Sequence, residues 1–278
     1  MLTTVDHSRD SAGLRYVYPV VSRRAGGVSI GINLNTNNAC NWACLYCQVD
    51  NLTRGGPPPI DLDCLTRELS GFLKSALHGD FMAREVPVEA RRLMDVAFSG
   101  NGEPTSSAEF ALAIERVAAV LAAFDLVGVL PVRLITNGSL MHRPEVQLGI
   151  RHLAALGGEV WFKVDRGDPL EMAMVNGVPL DHAKVGRNLD ICADLATTWV
   201  QTCWFALDGV VPSANSRDAY CALLKPLADK LAGVHLYGLA RPSMQPAAPR
   251  LGRLPLEELQ AFADEIKNKT GIRVIVSP

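Results

Sequence analysis

Short apolar runs alternate with longer segments of helical periodicity along most of the chain. Runs rich in Val, Ile, Phe and Leu predict strands, whereas apolar residues that recur every three or four positions predict helices. The predicted strands are residues 28–34, 95–98, 132–136, 159–164, 198–207 and 234–239, with a possible seventh at 273–276. The predicted helices are residues 62–77, 108–124, 144–156, helical material up to residue 196, 213–231 and 256–269.

Strands and helices that follow one another six times imply parallel strands joined by right-handed crossovers. Two α/β fold classes fit this order: an open doubly wound sheet and a full or partial barrel. Periodicity alone does not choose between them. In both classes the functional residues gather at the carboxyl ends of the strands. The polar motifs of greatest chemical interest in this sequence follow predicted strands, so they are expected to meet at one edge of the sheet.

Composition favours one cytoplasmic domain. A chain of 278 residues that is 48% hydrophobic can bury one large core, and its formal net charge of −2 argues against a dedicated nucleic-acid binder. The first residues, MLTTVDHSRD, lack the basic and apolar regions of a signal peptide, and the apolar stretch 117–132 is interrupted by Asp125, Gly128 and Pro131. We therefore expect a cytoplasmic protein with no membrane partner, in which the seven cysteines stay reduced.

Three cysteines, Cys40, Cys44 and Cys47, lie within eight residues shortly after the first predicted strand. Thiolates are soft ligands that suit zinc and iron–sulfur clusters. A structural zinc site needs four ligands, but the next cysteine, Cys64, is seventeen residues beyond Cys47. Three ligands with one open position favour a catalytic four-iron cluster. Zinc binding and burial of the three thiols in a core are the alternatives.

Further polar motifs follow the later strands. The turn at residues 99–105 (SGNGEPT) contains two glycines that let the backbone approach a ligand, although an ordinary strand-to-helix turn has the same composition. Lys163 and Asp165 share one face of a strand end, either as an ion pair or as ligand contacts. Gln201 lies among apolar neighbours, where its amide needs a partner in a ligand or in the backbone.

The spacing Cys40-x3-Cys44-x2-Cys47, with Tyr46 before the last cysteine, resembles the signature of the radical S-adenosylmethionine (SAM) superfamily. The resemblance implies a partial (β/α)6 barrel and a [4Fe-4S] cluster whose unique iron binds the amino and carboxylate groups of SAM. An electron from the reduced cluster cleaves SAM to methionine and a 5′-deoxyadenosyl radical, which abstracts hydrogen from a substrate. The resemblance also implies a reducing electron donor of the flavodoxin or ferredoxin type.

The same resemblance implies roles for the later motifs. The turn at 99–105 resembles the Gly-Gly-Glu element that hydrogen-bonds the methionyl ammonium of SAM, and the loop at 136–139 (TNGS) resembles the loop that reaches toward the SAM ribose. The candidate SAM-binding residues are Tyr46, Gly100, Asn101, Gly102, Glu103, Asn137, Lys163 and Gln201. The candidate catalytic residues are Lys163, Asp165 and Arg241, and the metal ligands are Cys40, Cys44 and Cys47.

Within the superfamily, the sequence is most similar to the branch related to wyosine synthase, a tRNA-modifying enzyme, over roughly residues 16–245. The motifs that carry this similarity are Ser22-Arg23-Arg24, CxxxCxYCQV, FSGNGEPT, ITNGSL, Lys163-x-Asp165 and YGLARP. Wyosine synthase carries a second cluster bound by additional cysteines, whereas this chain has no cysteine before Cys40, which implies a single cluster.

The substrate is then a tRNA base, a protein or peptide partner, or a small molecule. An iron–sulfur or zinc protein without enzymatic activity is the remaining alternative. The chain is expected to be one radical SAM domain, with an N-terminal extension of about residues 1–27, a core of about 28–245, and a C-terminal helix and possible strand of about 246–278.

Overall fold

The computed structural model describes residues 2, 13–22 and 26–277, so Arg23 and Arg24 lie outside the described residues. The main strands are β1 (Val17–Ser22), β2 (Gly27–Ile32), β3 (Leu93–Phe98), β4 (Val132–Thr136), β5 (Glu159–Lys163), β6 (Thr197–Cys203), β7 (Gly233–Tyr237) and β8 (Val274–Ser277). The main helices are α1 (Leu62–His78), α2 (Phe110–Ala123), α3 (Pro144–Ala155), α4 (Pro169–Asn176), α5 (His182–Leu195), α6 (Ala214–Leu224) and α7 (Leu256–Thr270). Shorter pieces are the helical turns Phe81–Glu85, Val88–Ala90, Pro104–Ser106, Lys225–Leu227 and Ala248–Arg250, and the two-residue strands Ala39–Cys40, Thr53–Arg54, Ala206–Leu207 and Leu251–Gly252.

The main strands form one sheet whose spatial order, β1 to β8, is the order of the strands in the sequence. β1 pairs antiparallel with β2, and every later neighbour pairs in parallel. A doubly wound sheet reverses its strand order at a switch point. An order that never reverses is that of a barrel, so the structure confirms the partial (β/α) barrel. The six predicted parallel strands are β2 to β7, and the possible seventh is β8.

Helices cover the outer face of the sheet and bury its apolar side chains, such as Phe162 of β5 and Ile114 of α2. Local capping sets the start of several helices. Asp61 accepts a hydrogen bond from the Cys64 N–H (2.9 Å) at the start of α1, and Asp168 accepts two backbone N–H groups at the start of α4. The Asp168 cap starts α4 shortly after the strand end that carries the Lys163-x-Asp165 motif.

Strand β1 was not predicted, and the predicted strand 198–207 was too long. Residues 17–22, within the region expected to be an N-terminal extension, form β1 and pair with β2 at the sheet edge. The predicted strand 198–207 ends at Cys203. The chain then turns, and Ala206–Leu207 pair with Leu251–Gly252 instead of continuing the main sheet.

One helix prediction was too long, and one predicted helical segment is divided in two. The predicted helix 213–231 ends at Leu224, because Pro226 has no N–H to donate and the chain tightens into a short turn. The helical material up to residue 196 is two helices, α4 and α5. Gly177 ends α4 in the left-handed conformation with φ +68°. Within the described residues, no helix combines the length and apolar character needed to cross a membrane.

The inner face of β5 to β7 carries aromatic and polar side chains. The His235 ring contacts Trp161 and Trp199, with centroid distances of 4.5 and 4.4 Å. Gln201 is the register partner of both His235 and Lys163, so one polar row crosses the inner face. This row lies toward the carboxyl ends of the strands, where the cysteine loop begins.

Candidate functional site

The three cysteines lie in one loop that follows β2, at the carboxyl end of the parallel strands. Asparagine side chains shape its first part: Asn35 Nδ2 donates to Ala39 O (2.9 Å), and Asn35 N–H donates to Asn33 Oδ1 (3.0 Å). Cys40 pairs with Arg54 in a short ladder that closes the loop. All three cysteines are half-buried. The loop is therefore held by side-chain hydrogen bonds and by one short ladder, which contains the first of the three cysteines.

The second part of the loop is attached to α4 and to the segment after β7. Ala43 N–H donates to Asn176 O (3.0 Å), and Leu45 N–H donates to Val175 O (2.9 Å). On the other side, Ser243 Oγ donates to Leu45 O (2.7 Å). The first two contacts use free carbonyl groups at the end of α4. They fix the position of the segment that carries the second and third cysteines.

Two of the sulfur atoms accept hydrogen bonds. The Trp42 N–H donates to Cys40 Sγ (3.4 Å), and Asn176 Nδ2 donates to Cys44 Sγ (3.5 Å). Burial raises the pKa of the Cys40 thiol to about 11 and that of Cys44 to about 12, while these hydrogen bonds and the positive charge of Lys163 beside Cys44 act in the opposite direction. Iron binds thiolates, so N–H donors and a cation aimed at sulfur fit a metal-binding role.

The arrangement of the thiols bears on the kind of metal site. Within the described residues, no group of three or more His, Cys, Asp or Glu side chains converges on a single ion. The charge of Cys47 nevertheless contributes to the raised pKa of both Cys40 and Cys44, so the three thiols share one electrostatic environment. In a four-iron cluster each cysteine binds a different iron, so its ligands lie farther apart than the ligands of one ion. The described residues thus place the three thiols in one loop without the converging ligand set of a single-ion site.

The turn at residues 99–105 packs against the cysteine loop. A Cβ at Gly100 would lie 2.3 Å from Asn33 Oδ1, and a Cβ at Gly102 would lie 2.2 Å from Ala39 O. No side chain fits at these distances, so both positions require glycine. The predicted close approach of this backbone is confirmed, and its neighbour is the cysteine loop itself.

Asn101, between these glycines, donates hydrogen bonds to the cysteine loop, but its side-chain oxygen accepts none within the described residues. Its N–H donates to Asn33 Oδ1 (3.1 Å) and its Nδ2 donates to Asn38 Oδ1 (2.6 Å). Among the described residues, its buried Oδ1 accepts no hydrogen bond. A buried acceptor without a donor costs about 1–3 kcal/mol. This oxygen is therefore available to an N–H or O–H group of a ligand.

Glu103 joins the ends of β3 and β4. Its carboxylate accepts hydrogen bonds from Thr105 N–H (3.1 Å), Thr105 Oγ1 (2.7 Å), Thr136 Oγ1 (2.6 Å) and Asn137 N–H (2.6 Å). Burial raises its pKa, and these hydrogen bonds act against that shift. Asn137 in turn donates through Nδ2 to Asn41 Oδ1 (2.8 Å) in the cysteine loop. The carboxylate thus holds three loops in one arrangement.

Lys163 and Asp165 do not contact each other as an ion pair; each has separate neighbours. The Lys163 ammonium lies 4.6 Å from the centre of the Tyr46 ring, and within the described residues it makes no hydrogen bond or ion pair. Asp165 is 2% exposed and accepts hydrogen bonds from Tyr46 OH (2.5 Å), Asn176 Nδ2 (2.8 Å) and Cys203 N–H (2.9 Å). Lys163 is therefore available to an anion, whereas Asp165 is occupied by the protein.

The charge on Lys163 is maintained by its surroundings. Burial lowers its pKa, but the charges of Tyr237, Asp165 and Cys44 outweigh that effect, so its pKa is raised above the ordinary value. Tyr46 is 8% exposed, and burial raises the pKa of its hydroxyl. The tyrosine ring is thus packed in the protein beneath the ammonium.

Gln201 and Arg241 complete the predicted set. Gln201 is 4% exposed, and among the described residues its Oε1 accepts no hydrogen bond. Arg241 is half-buried, and its guanidinium donates to Gln48 Oε1 (3.2 Å), next to Cys47. The structure thus brings the cysteines, the glycine turn, Asn137, Lys163 and Arg241 to the carboxyl edge of the sheet, with Gln201 on the inner face beside Lys163.

Sequence reasoning missed the residues that support the site. Arg166 is 4% exposed, donates to Asp165 O (2.7 Å) and Cys203 O (3.2 Å), and lies 4.3 Å from the Trp204 ring centre. Asn176 bonds to Cys44 from α4. The asparagine-rich run at residues 33–38 (NLNTNN) was a usable signal, since such side chains bond nearby backbone.

Comparison with known proteins addresses the fold. No protein-family model matches the sequence. A radical SAM methyltransferase from Sphaerobacter thermophilus has a similar structure, with a TM-score of 0.60 and 18% identity, over 94% of this chain and 68% of that chain. Native anSMEcpe with bound AdoMet and the Cp18Cys peptide gives a TM-score of 0.53 at 19% identity, over 89% of this chain and 62% of that chain. This chain therefore shares the partial (β/α) barrel fold of these structures.

Two further matches are more partial. The cobalamin-dependent SAM radical enzyme OxsB, with aqua-cobalamin and SAM bound, gives a TM-score of 0.51 at 13% identity, and the match covers 89% of this chain but 32% of OxsB. A curated GTPase Obg from Brachyspira hyodysenteriae is 28% identical over 132 residues, which are 46% of this chain and 16% of that protein. The present sequence contains no Gly-Lys pair, which the phosphate-binding loop of GTPases requires.

Proposed function

We propose that this protein is a radical SAM enzyme in which Cys40, Cys44 and Cys47 bind one [4Fe-4S] cluster. The observation that carries the proposal is the cysteine loop itself: three half-buried thiols share one ordered loop, with N–H donors directed at two of their sulfur atoms. A bound and reduced cluster supplies the electron that cleaves SAM to methionine and the 5′-deoxyadenosyl radical. The radical SAM fold is consistent with this chemistry.

The residues around the loop match the polar groups of SAM. Asn101 Oδ1, a buried acceptor without a donor among the described residues, suits the methionyl ammonium. The Lys163 ammonium suits the carboxylate, and Gln201 Oε1 suits a ribose hydroxyl. Glu103 and Asp165 act as positioning residues in this proposal, because donors within the protein already engage their carboxylates. Arg241, at the edge of the site, is assigned to substrate orientation.

We also propose that the electron comes from a cytoplasmic donor of the flavodoxin or ferredoxin type. Arg54 is exposed and is the strand partner of Cys40. A positive side chain beside the first cluster ligand favours the approach of an acidic electron carrier. Such an approach keeps the path from donor to cluster short.

The first substrate hypothesis is a tRNA base, which rests on the resemblance to the wyosine-synthase branch. A protein or peptide partner is the second candidate, and a specific observation favours it. Leu170, Val210 and Met244 are 81%, 69% and 52% exposed; Leu170 lies at the start of α4, after β5, and the other two lie in the segments that follow β6 and β7. Exposed apolar side chains near a site opening are typical of interaction surfaces. The structure known for anSMEcpe contains a bound peptide.

The test is SAM cleavage under anaerobic conditions. The protein is reconstituted with iron and sulfide, reduced with dithionite and mixed with SAM, and 5′-deoxyadenosine is quantified. We expect product from the wild type and from Cys64→Ala, whose thiol lies on α1, but none from Cys44→Ala. Adding tRNA or peptides in turn then identifies what accelerates cleavage. Zinc in place of iron in the reconstituted wild type would contradict the proposal.

A further inference from the structure

Asn176 is the last residue of α4 and is 1% exposed. Its carboxamide nitrogen donates two hydrogen bonds, one to Asp165 Oδ2 (2.8 Å) and one to Cys44 Sγ (3.5 Å). The first bond orients the group, because Asp165 is itself fixed by Tyr46 OH and the Cys203 N–H. The second N–H is thereby directed at a sulfur atom that the proposed function assigns to the cluster.

Attachment of the loop does not require this side chain. The backbone carbonyls of Val175 and Asn176 already accept the Leu45 and Ala43 N–H groups, and any residue at these positions offers the same carbonyls. Cys40 also accepts an N–H, but from the backbone of Trp42. Among the described residues, Cys44 is therefore the one cysteine of the loop whose sulfur accepts a hydrogen bond from the N–H of a side chain.

A hydrogen bond to a ligating thiolate stabilises the form of the cluster that carries more negative charge. The reduced cluster carries one electron more than the oxidised cluster, so an N–H donated to sulfur favours reduction. Burial and nearby carboxylates such as Asp165 act in the opposite direction. The low exposure of Asn176 places its amide inside the protein, where the two hydrogen bonds hold it in one orientation.

We infer that Asn176 sets the reduction potential of the cluster by donating its N–H to Cys44 Sγ, with Asp165 orienting it. Asn176 is thus a positioning residue for the electron-transfer step. This inference rests on the proposed function, because it requires that Cys44 binds iron. It assigns a chemical task to a residue that lies 132 positions from Cys44 in the sequence.

The test is a redox titration of the reconstituted protein without SAM, followed by the electron paramagnetic resonance signal of the reduced cluster. Asn176→Leu has a branched side chain of similar shape and somewhat larger volume and removes the donor, and Asn176→Ala removes the donor without adding volume. Asn188→Leu is the matched control, because Asn188 is also a buried helical asparagine and its Nδ2 donates to Gly138 O (2.8 Å), a backbone carbonyl and not a sulfur. Iron and sulfide content are measured first for every variant.

The expected result is a midpoint potential that moves to more negative values in both variants at 176 and stays at the wild-type value in Asn188→Leu. An unchanged potential in variants that contain a full cluster would overturn the inference. Failure of both variants to hold a cluster, with a loaded control, would also overturn it, because Asn176 would then be a structural residue. If the wild type builds no four-iron cluster, it is the proposed function that fails.

Discussion

Gly177 offers a direct test of how the cysteine loop is held in place. It ends α4 with φ +68°, and a Cβ there would lie 2.5 Å from Ala43 O. Gly271 ends α7 with φ +80°, and a Cβ there would meet nothing within 4 Å. Gly177→Ala and Gly271→Ala therefore impose the same backbone strain, but Gly177→Ala alone pushes against the loop that carries the cysteines.

The expected cost follows from these contacts. A left-handed alanine costs about 1–2 kcal/mol in either variant. In Gly177→Ala the loop must also move away from α4, which strains the hydrogen bonds Ala43 N–H to Asn176 O (3.0 Å) and Leu45 N–H to Val175 O (2.9 Å). Two such bonds contribute about 1–3 kcal/mol in total. Gly177→Ala should therefore lower the free energy of unfolding by about 1–3 kcal/mol more than Gly271→Ala does.

The assay has two parts. Urea denaturation of the proteins without iron, followed by circular dichroism, gives the difference in stability. Iron bound per chain after anaerobic reconstitution reports the position of the thiols. We expect Gly271→Ala to bind iron like the wild type and Gly177→Ala to bind clearly less. Equal stability and equal iron content in the two variants would refute the claim that α4 positions the cysteine loop.

Three further variants test individual residues of the site. Lys163→Met should weaken SAM binding by about tenfold or more, because a hydrogen bond from a charged group contributes about 1.5–3 kcal/mol. Unchanged affinity in equilibrium dialysis would show that Lys163 does not bind SAM. Glu103→Leu leaves two buried backbone N–H groups without an acceptor. It should therefore lower the free energy of unfolding, measured by urea denaturation, by about 2–4 kcal/mol. The control Glu257→Gln, at an exposed position, should change it little. Tyr46→Phe removes the hydroxyl donor to Asp165 and should cost about 1–2 kcal/mol, and a melting temperature equal to the wild type would show that this bond contributes nothing.

The fold was largely predictable because its signals are local. Each parallel strand is an apolar run bounded by turn residues, so β2 to β8 and most helices were found close to their observed positions. β1 was missed because its pairing with β2 is a tertiary event and Pro19 interrupts its pattern. The choice between barrel and open sheet also required the strand order, which depends on contacts across the whole chain.

The site was predictable where chemistry and spacing coincide. Three cysteines in eight residues and two glycines around Asn101 are visible in the sequence, and the structure brings these two segments into contact. Individual roles were less visible. The hydrogen bonds that occupy Asp165 come from residues up to 119 positions away, and the bond from Asn176 to Cys44 spans 132 positions. No local pattern shows that a carboxylate is already engaged or that an amide points at sulfur.

We propose that Cys40, Cys44 and Cys47 hold a four-iron cluster with one iron open to SAM. Mössbauer spectroscopy of the protein reconstituted with ⁵⁷Fe tests it directly, because each iron of the cluster contributes to the spectrum. We expect four irons per chain in a [4Fe-4S] cluster and, on addition of SAM, a change in the signal of one iron of the four. A spectrum that SAM leaves unchanged, or a protein that takes up zinc and no cluster, would show that the three cysteines do not form this site.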